Sequence, residues 1–315
     1  MLPSGYRYTY GPVPSRRLGS SLGVDLVPFK ICTYDCIYCQ LGRTTNKTIE
    51  RKEYIPTEKI IAEIRKRLSD NLIFDFITLA GSGEPTLHSN IGRIIQTIKS
   101  LTSIPIAVIT NGSLLSETEV QDALMKADLI IPSLDAGSEN LFQKVNRPHR
   151  DLDFNSMING MCEFRNRFNK SIWLEVFLIS KVNDPVPEIE KIASLVSRIN
   201  PDKVQLNTVA RPPAEEYAQP ISTESLMAIK NIFKIETEVI NGSKSNKLQS
   251  TLNMATKKDE ILTLLKRRPC TARNIADGLG MSVNEVIKQL DLLLKRDITA
   301  IRFGNDRLFY KKNRA

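Results

Sequence analysis

Short apolar runs alternate with stretches of helical period along the first 235 residues, and this alternation limits the fold more than any other feature. Residues 22–27 (LGVDLV) read as a first strand, ended by Pro28. Runs at 74–79, 104–109, 129–131, 172–179 and 204–207 are short and apolar, as strands are. Between them, 57–68, 91–101, 117–126, 154–168, 188–199 and 222–233 read as helices, with further helical sequence from Leu141. In the first of these, Ile60, Ile61, Ile64 and Leu68 share one face and Thr57 is the cap candidate. Apolar strands alternating with amphipathic helices predict an α/β fold, its strands parallel and its helices outside. Six such units suit an open partial barrel better than a closed eight-stranded one. A doubly wound sheet has the same alternation, and periodicity leaves that choice open.

Residues 236–256 turn polar around Asn241-Gly242-Ser243 and read as a linker. Beyond them, 257–266, 271–279 and 282–295 read as three helices, and 298–303 with 307–310 as a hairpin around Gly304. That order resembles a winged helix, which predicts a barrel domain over 1–235 and a small domain over 257–315. The chain carries a formal charge of +9, and 14 Lys/Arg against 7 Asp/Glu lie between Ala255 and Ala315. Such a bias predicts a polyanion partner, tRNA or DNA, read by Asn284, Lys288, Asp291 and Lys295 on the third helix. Asp291 and Glu285 oppose that, since phosphate repels them; a solvated basic surface is the plainer alternative.

Three of the five cysteines, Cys32, Cys36 and Cys39, are spaced C-x3-C-x2-C. Thiolates so close converge more readily on a metal than on a disulfide. Soft sulfur ligands favour zinc or an iron–sulfur cluster. Zinc normally takes a fourth Cys or His, and only His88 and His149 are there to supply one. A cubane cluster with one iron left open fits three ligands better. Cys162 and Cys270 read as buried or idle thiols and Trp173 as core. Too few thiols remain for a second four-cysteine cluster.

With Tyr38 just before its last cysteine, this motif resembles the signature of the radical S-adenosylmethionine superfamily. The resemblance implies a partial (β/α)6 TIM-type barrel with a [4Fe–4S] cluster on Cys32, Cys36 and Cys39. It also implies S-adenosylmethionine on the open iron, one-electron cleavage to a 5′-deoxyadenosyl radical, and a flavodoxin- or ferredoxin-like electron donor. Ala80-Gly81-Ser82-Gly83-Glu84-Pro85 resembles the family's Gly-Gly-Glu-Pro motif with Ser82 inserted. Thr110-Asn111-Gly112 and Pro132-Ser133-Leu134-Asp135 follow later strands, as the family shows. Tyr38, Gly81, Gly83, Glu84, Asn111, Ser133 and Asp135 are therefore the expected cofactor contacts; no catalytic residue beyond them is assigned. Ser133 and Asp135 alternate and are expected to share a face.

The amino-terminal Gly11-Pro12-Val13-Pro14-Ser15-Arg16-Arg17-Leu18-Gly19 resembles an uncharacterised group related to the tRNA wyosine-base synthetases. An RNA-modifying radical enzyme is thus the leading expectation. A glycyl-radical activating enzyme and a non-catalytic iron–sulfur regulator that binds nucleic acid are the alternatives. Arg16, Arg17, Glu175, Gln205, Asn207, Arg211 and His149 are candidates to face the substrate. No run is long and apolar enough for a bilayer, and residues 1–10 lack a signal-peptide pattern, so a cytoplasmic location without membrane partners is expected.

Overall fold

Parallel strands buried on both faces need near-continuous apolar sequence, and the sheet is built from such runs. A computed structural model describes residues 7–70, 72–240, 254–294, 296–304 and 306–313. The chain opens with β1 (Thr9–Ser15), β2 (Gly19–Val24) and the two-residue strands β3 (Ile31–Cys32) and β4 (Asn46–Lys47). Next come α1 (Thr57–Ser69), β5 (Phe76–Leu79), α2 (Ile91–Leu101), β6 (Ile106–Thr110), α3 (Thr118–Leu124) and β7 (Leu129–Pro132). Two helices, α4 (Glu139–Val145) and α5 (Phe154–Arg167), precede β8 (Ser171–Leu178), α6 (Val186–Ile199) and β9 (Lys203–Thr208). The barrel ends with α7 (Thr223–Lys230) and β10 (Thr237–Val239).

Except for β3 and β4, which pair with each other, these strands form one sheet in the order β1-β2-β5-β6-β7-β8-β9-β10. β1 runs antiparallel to β2, and every later pairing is parallel. Among the described residues β1 and β10 do not pair, so the barrel is open. The six expected strand–helix units are present. Helices cover the sheet through single faces: in α2, Ile91, Ile94, Ile95 and Ile98 are all fully buried. Burial of each such side chain contributes about 1.5–3 kcal/mol, so Ile95→Asp would break this helix from the sheet.

Three details depart from the sequence reading. The first parallel strand is Gly19–Val24, three residues earlier than the apolar run suggests. β1, in a stretch to which the sequence reading assigned no element, is a strand with its register broken between Tyr10 and Val13. β10 falls in the stretch read as linker; it is a seventh parallel strand, in register with Val204–Leu206. Residues 241–253 lie outside the described residues.

The carboxy-terminal segment contains α8 (Met254–Arg267), α9 (Ala272–Leu279), α10 (Val283–Leu294) and the antiparallel hairpin of β11 (Ile298–Phe303) and β12 (Arg307–Lys312). A capping box between Thr271 and Asn274 starts α9, and Gly280 in the left-handed region ends it. Its core joins Ile261, Leu265, Ile275, Leu279, Leu290 and Ile298 to Val13 of β1. The segment thus packs on the amino-terminal edge strand. On α10, Asn284, Lys288 and Asp291 are exposed as expected, and Lys295 lies outside the described residues.

Candidate active site at the strand ends

The loop from Lys30 to Gly42 is held in place by three neighbours. Lys30 takes a left-handed φ of 59° and its main-chain N–H bonds Ser82 O at 2.6 Å. Glu84 N–H reaches Ile31 O, while Asp35 and Ile37 N–H bond the carbonyls of Asn146 and Val145. Ile37 is fully buried, and Tyr34 packs edge-on against Phe142 and donates to Met157 Sδ. The loop therefore presents Cys32, Cys36 and Cys39 to one cavity of about 1490 Å³.

Each thiol has a donor nearby. Lys30 Nζ donates to Cys39 Sγ at 3.2 Å, and Asn111 Nδ2 and Asn146 Nδ2 approach Cys32 and Cys36 Sγ at 3.6 Å. All three cysteines are free. Burial, with Glu84 adding to it, pushes the Cys32 thiol up to about 12, and burial raises Cys36 too. Thiolates here require a compensating positive centre. Among the described residues no three His, Cys, Asp or Glu side chains are gathered closely enough to hold a single metal ion.

The second wall is the turn after β5. Gly81 has φ +130°, and a Cβ there would strike the Asp25 carboxylate; a Cβ on Gly83 would strike Ile31 O. Ser82 N–H donates to Asp25 Oδ1 at 2.8 Å. The Glu84 carboxylate is buried and accepts from Thr86 Oγ1, Thr86 N, Thr110 Oγ1 and Asn111 N. Burial raises its pKa, and those four donors pull it back. Glu84 thus ties the Asn111 loop to its own turn. Asn111 spans to the cysteine loop through Thr33 Oγ1 at 2.6 Å.

Cys32, Cys36, Tyr38, Cys39, Gly81, Gly83, Glu84, Asn111 and Ser133 all line the one cavity. Asp135 does not. It is buried, and its oxygens accept from Tyr38 Oη at 2.5 Å, Asn146 Nδ2 at 2.7 Å and Phe177 N at 3.1 Å. β7 ends at Pro132, so strand alternation no longer governs Asp135. Asp135 fixes Tyr38, whose ring stacks on Phe177 with centroids 4.0 Å apart.

The other polar candidates separate as well. Glu175 lines the cavity, where Arg17 pairs with it and Asn207 Nδ2 donates to it at 2.7 Å. Arg17 therefore serves an internal carboxylate. Gln205 is off the cavity wall and donates to Glu238 of β10. His88 is fully buried, its Nε2 on Ile55 O and its Nδ1 accepting from Asn90 N. His149 N–H bonds Thr33 O and its ring faces Asp151. Neither histidine lines the cavity. Sequence reasoning passed over Lys30, Asn146 and Asp25; the lone acid inside LGVDLV was the available signal for the last.

A family model described as the radical SAM superfamily matches residues 26–196, which is more than half of the chain. The chain belongs to the radical SAM superfamily. It is 36% identical over 301 residues to a UPF0026 protein of Helicobacter pylori, covering 94% of this chain and 95% of that one. It is also 41% identical over 289 residues to a Brachyspira hyodysenteriae protein named GTPase Obg, covering 91% of this chain but 42% of that one. No Gly-Lys pair occurs in this sequence, and a GTPase P-loop needs one. A radical SAM methyltransferase from Sphaerobacter thermophilus shares the fold with a TM-score of 0.53 at 18% identity, covering 70% of this chain and 65% of that one. A structure of TYW1 with a lysine–pyruvate adduct bound shares it with a TM-score of 0.51 at 17% identity, covering 71% and 74%. The superfamily fold accounts for the open parallel barrel and for the strand-end position of the site. No helix among the described residues is long and apolar enough to cross a membrane.

Proposed function

We propose that this radical SAM protein holds a [4Fe–4S] cluster on Cys32, Cys36 and Cys39, cleaves S-adenosylmethionine reductively, and abstracts hydrogen from a nucleotide of RNA. The observation that carries it is the convergence of three free thiols, a glycine turn and Asn111 on one cavity at the ends of parallel strands. The residues fit the cluster: the ligand set is all soft sulfur, and Lys30, Asn111 and Asn146 place donors beside it. A cubane is larger than one ion, so its thiolates stand further apart than the ligands of zinc.

When bound, the reduced cluster supplies one electron to the sulfonium of S-adenosylmethionine. This chain's residues do the rest. Gly81 and Gly83 let their turn close against Asp25 and the Ile31 carbonyl, where a Cβ would clash, and so hold it beside the thiol loop. Tyr38, fixed by Phe177 and Asp135, offers an aromatic face on the cavity wall. Arg17 neutralises Glu175, which would otherwise be an unpaired charge beside a radical site. The net +9 and the basic carboxy-terminal segment support an anionic, nucleic-acid substrate. Ordinary small-molecule pockets measure roughly 300–1,000 Å³, so the cavity has room for cofactor and substrate together.

The test is anaerobic reconstitution with iron and sulfide, reduction with dithionite, and quantification of 5′-deoxyadenosine. Wild type is expected to form it, and Cys36→Ala to lose both cluster absorbance and product. A stable cluster that neither responds to S-adenosylmethionine nor cleaves it would instead favour a cluster-bearing regulator.

A further inference from the structure

Besides Arg17 and Arg267, which pair with Glu175 and Asp25, and the exposed Arg273, four arginines from segments remote in sequence line the cavity. Arg16 lies in the β1–β2 turn, Arg211 follows β9, Arg268 follows α8 and Arg307 opens β12. Among the described residues no carboxylate forms an ion pair with Arg16, Arg211 or Arg268. Arg211 Nη1 donates to Gln40 Oε1 at 3.2 Å, while its Nε is buried without a partner. Arg307 Nε donates to Gly304 O at 3.3 Å, and its guanidinium stands over Phe309.

The four acids on the same wall leave these guanidiniums uncompensated. Glu84 is taken up by Thr86, Thr110 and Asn111, and Glu175 by Arg17 and Asn207. Glu224 and Asp277 make no ion pair with them. The arginines also feel one another: burial and then Arg268 push Arg211 down to about 9, with Arg16 and Arg307 adding to it. Burial and Arg268 likewise lower Arg16 to about 10. A folded chain gains nothing from like charges gathered around an orphaned N–H unless an anion completes the set. Guanidinium forks match phosphate bidentately.

We propose that Arg16, Arg211, Arg268 and Arg307 form a phosphate-binding site, which holds a phosphorylated substrate between the barrel and the carboxy-terminal helices above the thiol-lined wall. That the phosphate belongs to a substrate rests on the enzymatic reading given above; the binding itself does not. The site assigns recognition to residues on the cavity wall, away from the exposed face of α10. Phosphate chemistry can reach it from RNA or from a small phosphorylated molecule, and the two are separable by size.

The test uses the full-length protein, with and without reconstituted cluster, because binding needs no turnover. Fluorescence anisotropy follows a short labelled single-stranded oligoribonucleotide, with adenosine 5′-monophosphate and inorganic pyrophosphate as competitors. Arg211→Gln and Arg268→Gln are each expected to weaken binding about tenfold, and to reduce the slope of log K against log[salt] by about 0.7 per lost phosphate contact. Lys288→Gln, on the exposed face of α10, is expected to bind as wild type does. Pyrophosphate competition on wild type decides the matter even if a variant fails to fold. Competition by the monophosphate at concentrations matching the oligonucleotide identifies a small substrate. Strong preference for the oligonucleotide identifies RNA, and both outcomes support the site. Wild type that binds none of the probes, or affinities unchanged in both arginine variants, overturns it. A loss confined to Lys288→Gln overturns it too. Failure of wild type to form 5′-deoxyadenosine defeats the proposed radical chemistry and leaves this binding result to be judged separately.

Discussion

Arg267 and Asp25 join α8, the first helix of the carboxy-terminal segment, to the turn beside the candidate active site. Arg267 Nε lies 2.7 Å from Asp25 Oδ2, with side chains 11% and 7% exposed. The Arg267 guanidinium also stands over the Tyr10 ring, 4.6 Å from its centroid. On its other oxygen Asp25 accepts the Ser82 N–H, and it fills the space that a Cβ on Gly81 would need. Burial raises the Asp25 pKa, and Arg267 and Ser82 oppose that rise. The α8 helix and the glycine turn are thus two ends of one short polar chain.

Removal of Arg267 leaves a buried carboxylate without its counter-charge. Arg267→Ala is expected to cost about 3–5 kcal/mol and to weaken S-adenosylmethionine binding, because the Gly81 turn loses its brace. Adding Asp25→Asn should recover much of that stability, since a neutral amide needs no counter-ion. Urea unfolding and equilibrium dialysis of wild type and the two variants check both effects. Equal stability of wild type and Arg267→Ala would contradict the buried-pair argument.

Ser133 and Asp135 separate two kinds of role that the sequence puts side by side. Ser133 is on the cavity wall and makes one long contact, 3.4 Å to Glu175. Ser133→Ala is expected to shift stability by less than about 0.5 kcal/mol and to show its effect in cofactor affinity. Asp135→Ala strands Tyr38 Oη and the Phe177 N–H, at about 1–3 kcal/mol for a buried group left unsatisfied. Its loss is expected in thermal unfolding, and in the cluster spectrum through Asn146. Calorimetry with titration of S-adenosylmethionine distinguishes the pair.

The alternation of strands and helices was legible because parallel strands must be apolar along their length, as Ile106–Val108 and Ile130–Ile131 are. The cysteine loop and the glycine turn were legible as local motifs. β10 was not, since Thr237-Glu238-Val239 is too short and polar to stand out and gains its strand state from pairing with β9. Nor was the pairing of Arg17 with Glu175, which are 158 positions apart. The arginine-lined wall escaped for the same reason: only the packing of the carboxy-terminal core on Val13 brings Arg268 and Arg307 to Arg16.

Lys30 supplies the only ammonium hydrogen-bonded to one of the three thiols among the described residues. A cationic donor to a ligating sulfur favours the more negative, reduced state of a cluster. Lys30→Met is expected to lower the reduction potential and to slow 5′-deoxyadenosine formation, with the ligands intact. A redox titration followed by electron paramagnetic resonance reads the shift. An unchanged potential would show that the contact is merely structural.

His88 makes the fold sensitive to acid through a buried ring held between Ile55 and Asn90. Its Nε2–H donates to Ile55 O at 2.8 Å while Nδ1 accepts from Asn90 N at 3.2 Å, an arrangement that only the neutral ring can satisfy. Burial lowers its pKa below the ordinary 6.5, against the opposing pull of the Ile55 carbonyl. The unfolded chain therefore binds the proton more readily, and stability rises with pH across the window between the two pKa values. Above about 6.5 this contribution is complete; it is lost as pH falls toward the folded value and stays constant below it. His88→Asn keeps the acceptor and removes the titration. It is expected to be less stable than wild type at pH 7.5, by the lost bond to Ile55, and to show a smaller decline on acidification. Urea midpoints between pH 5 and 7.5 for both proteins measure this, and parallel declines would exclude His88 as the origin.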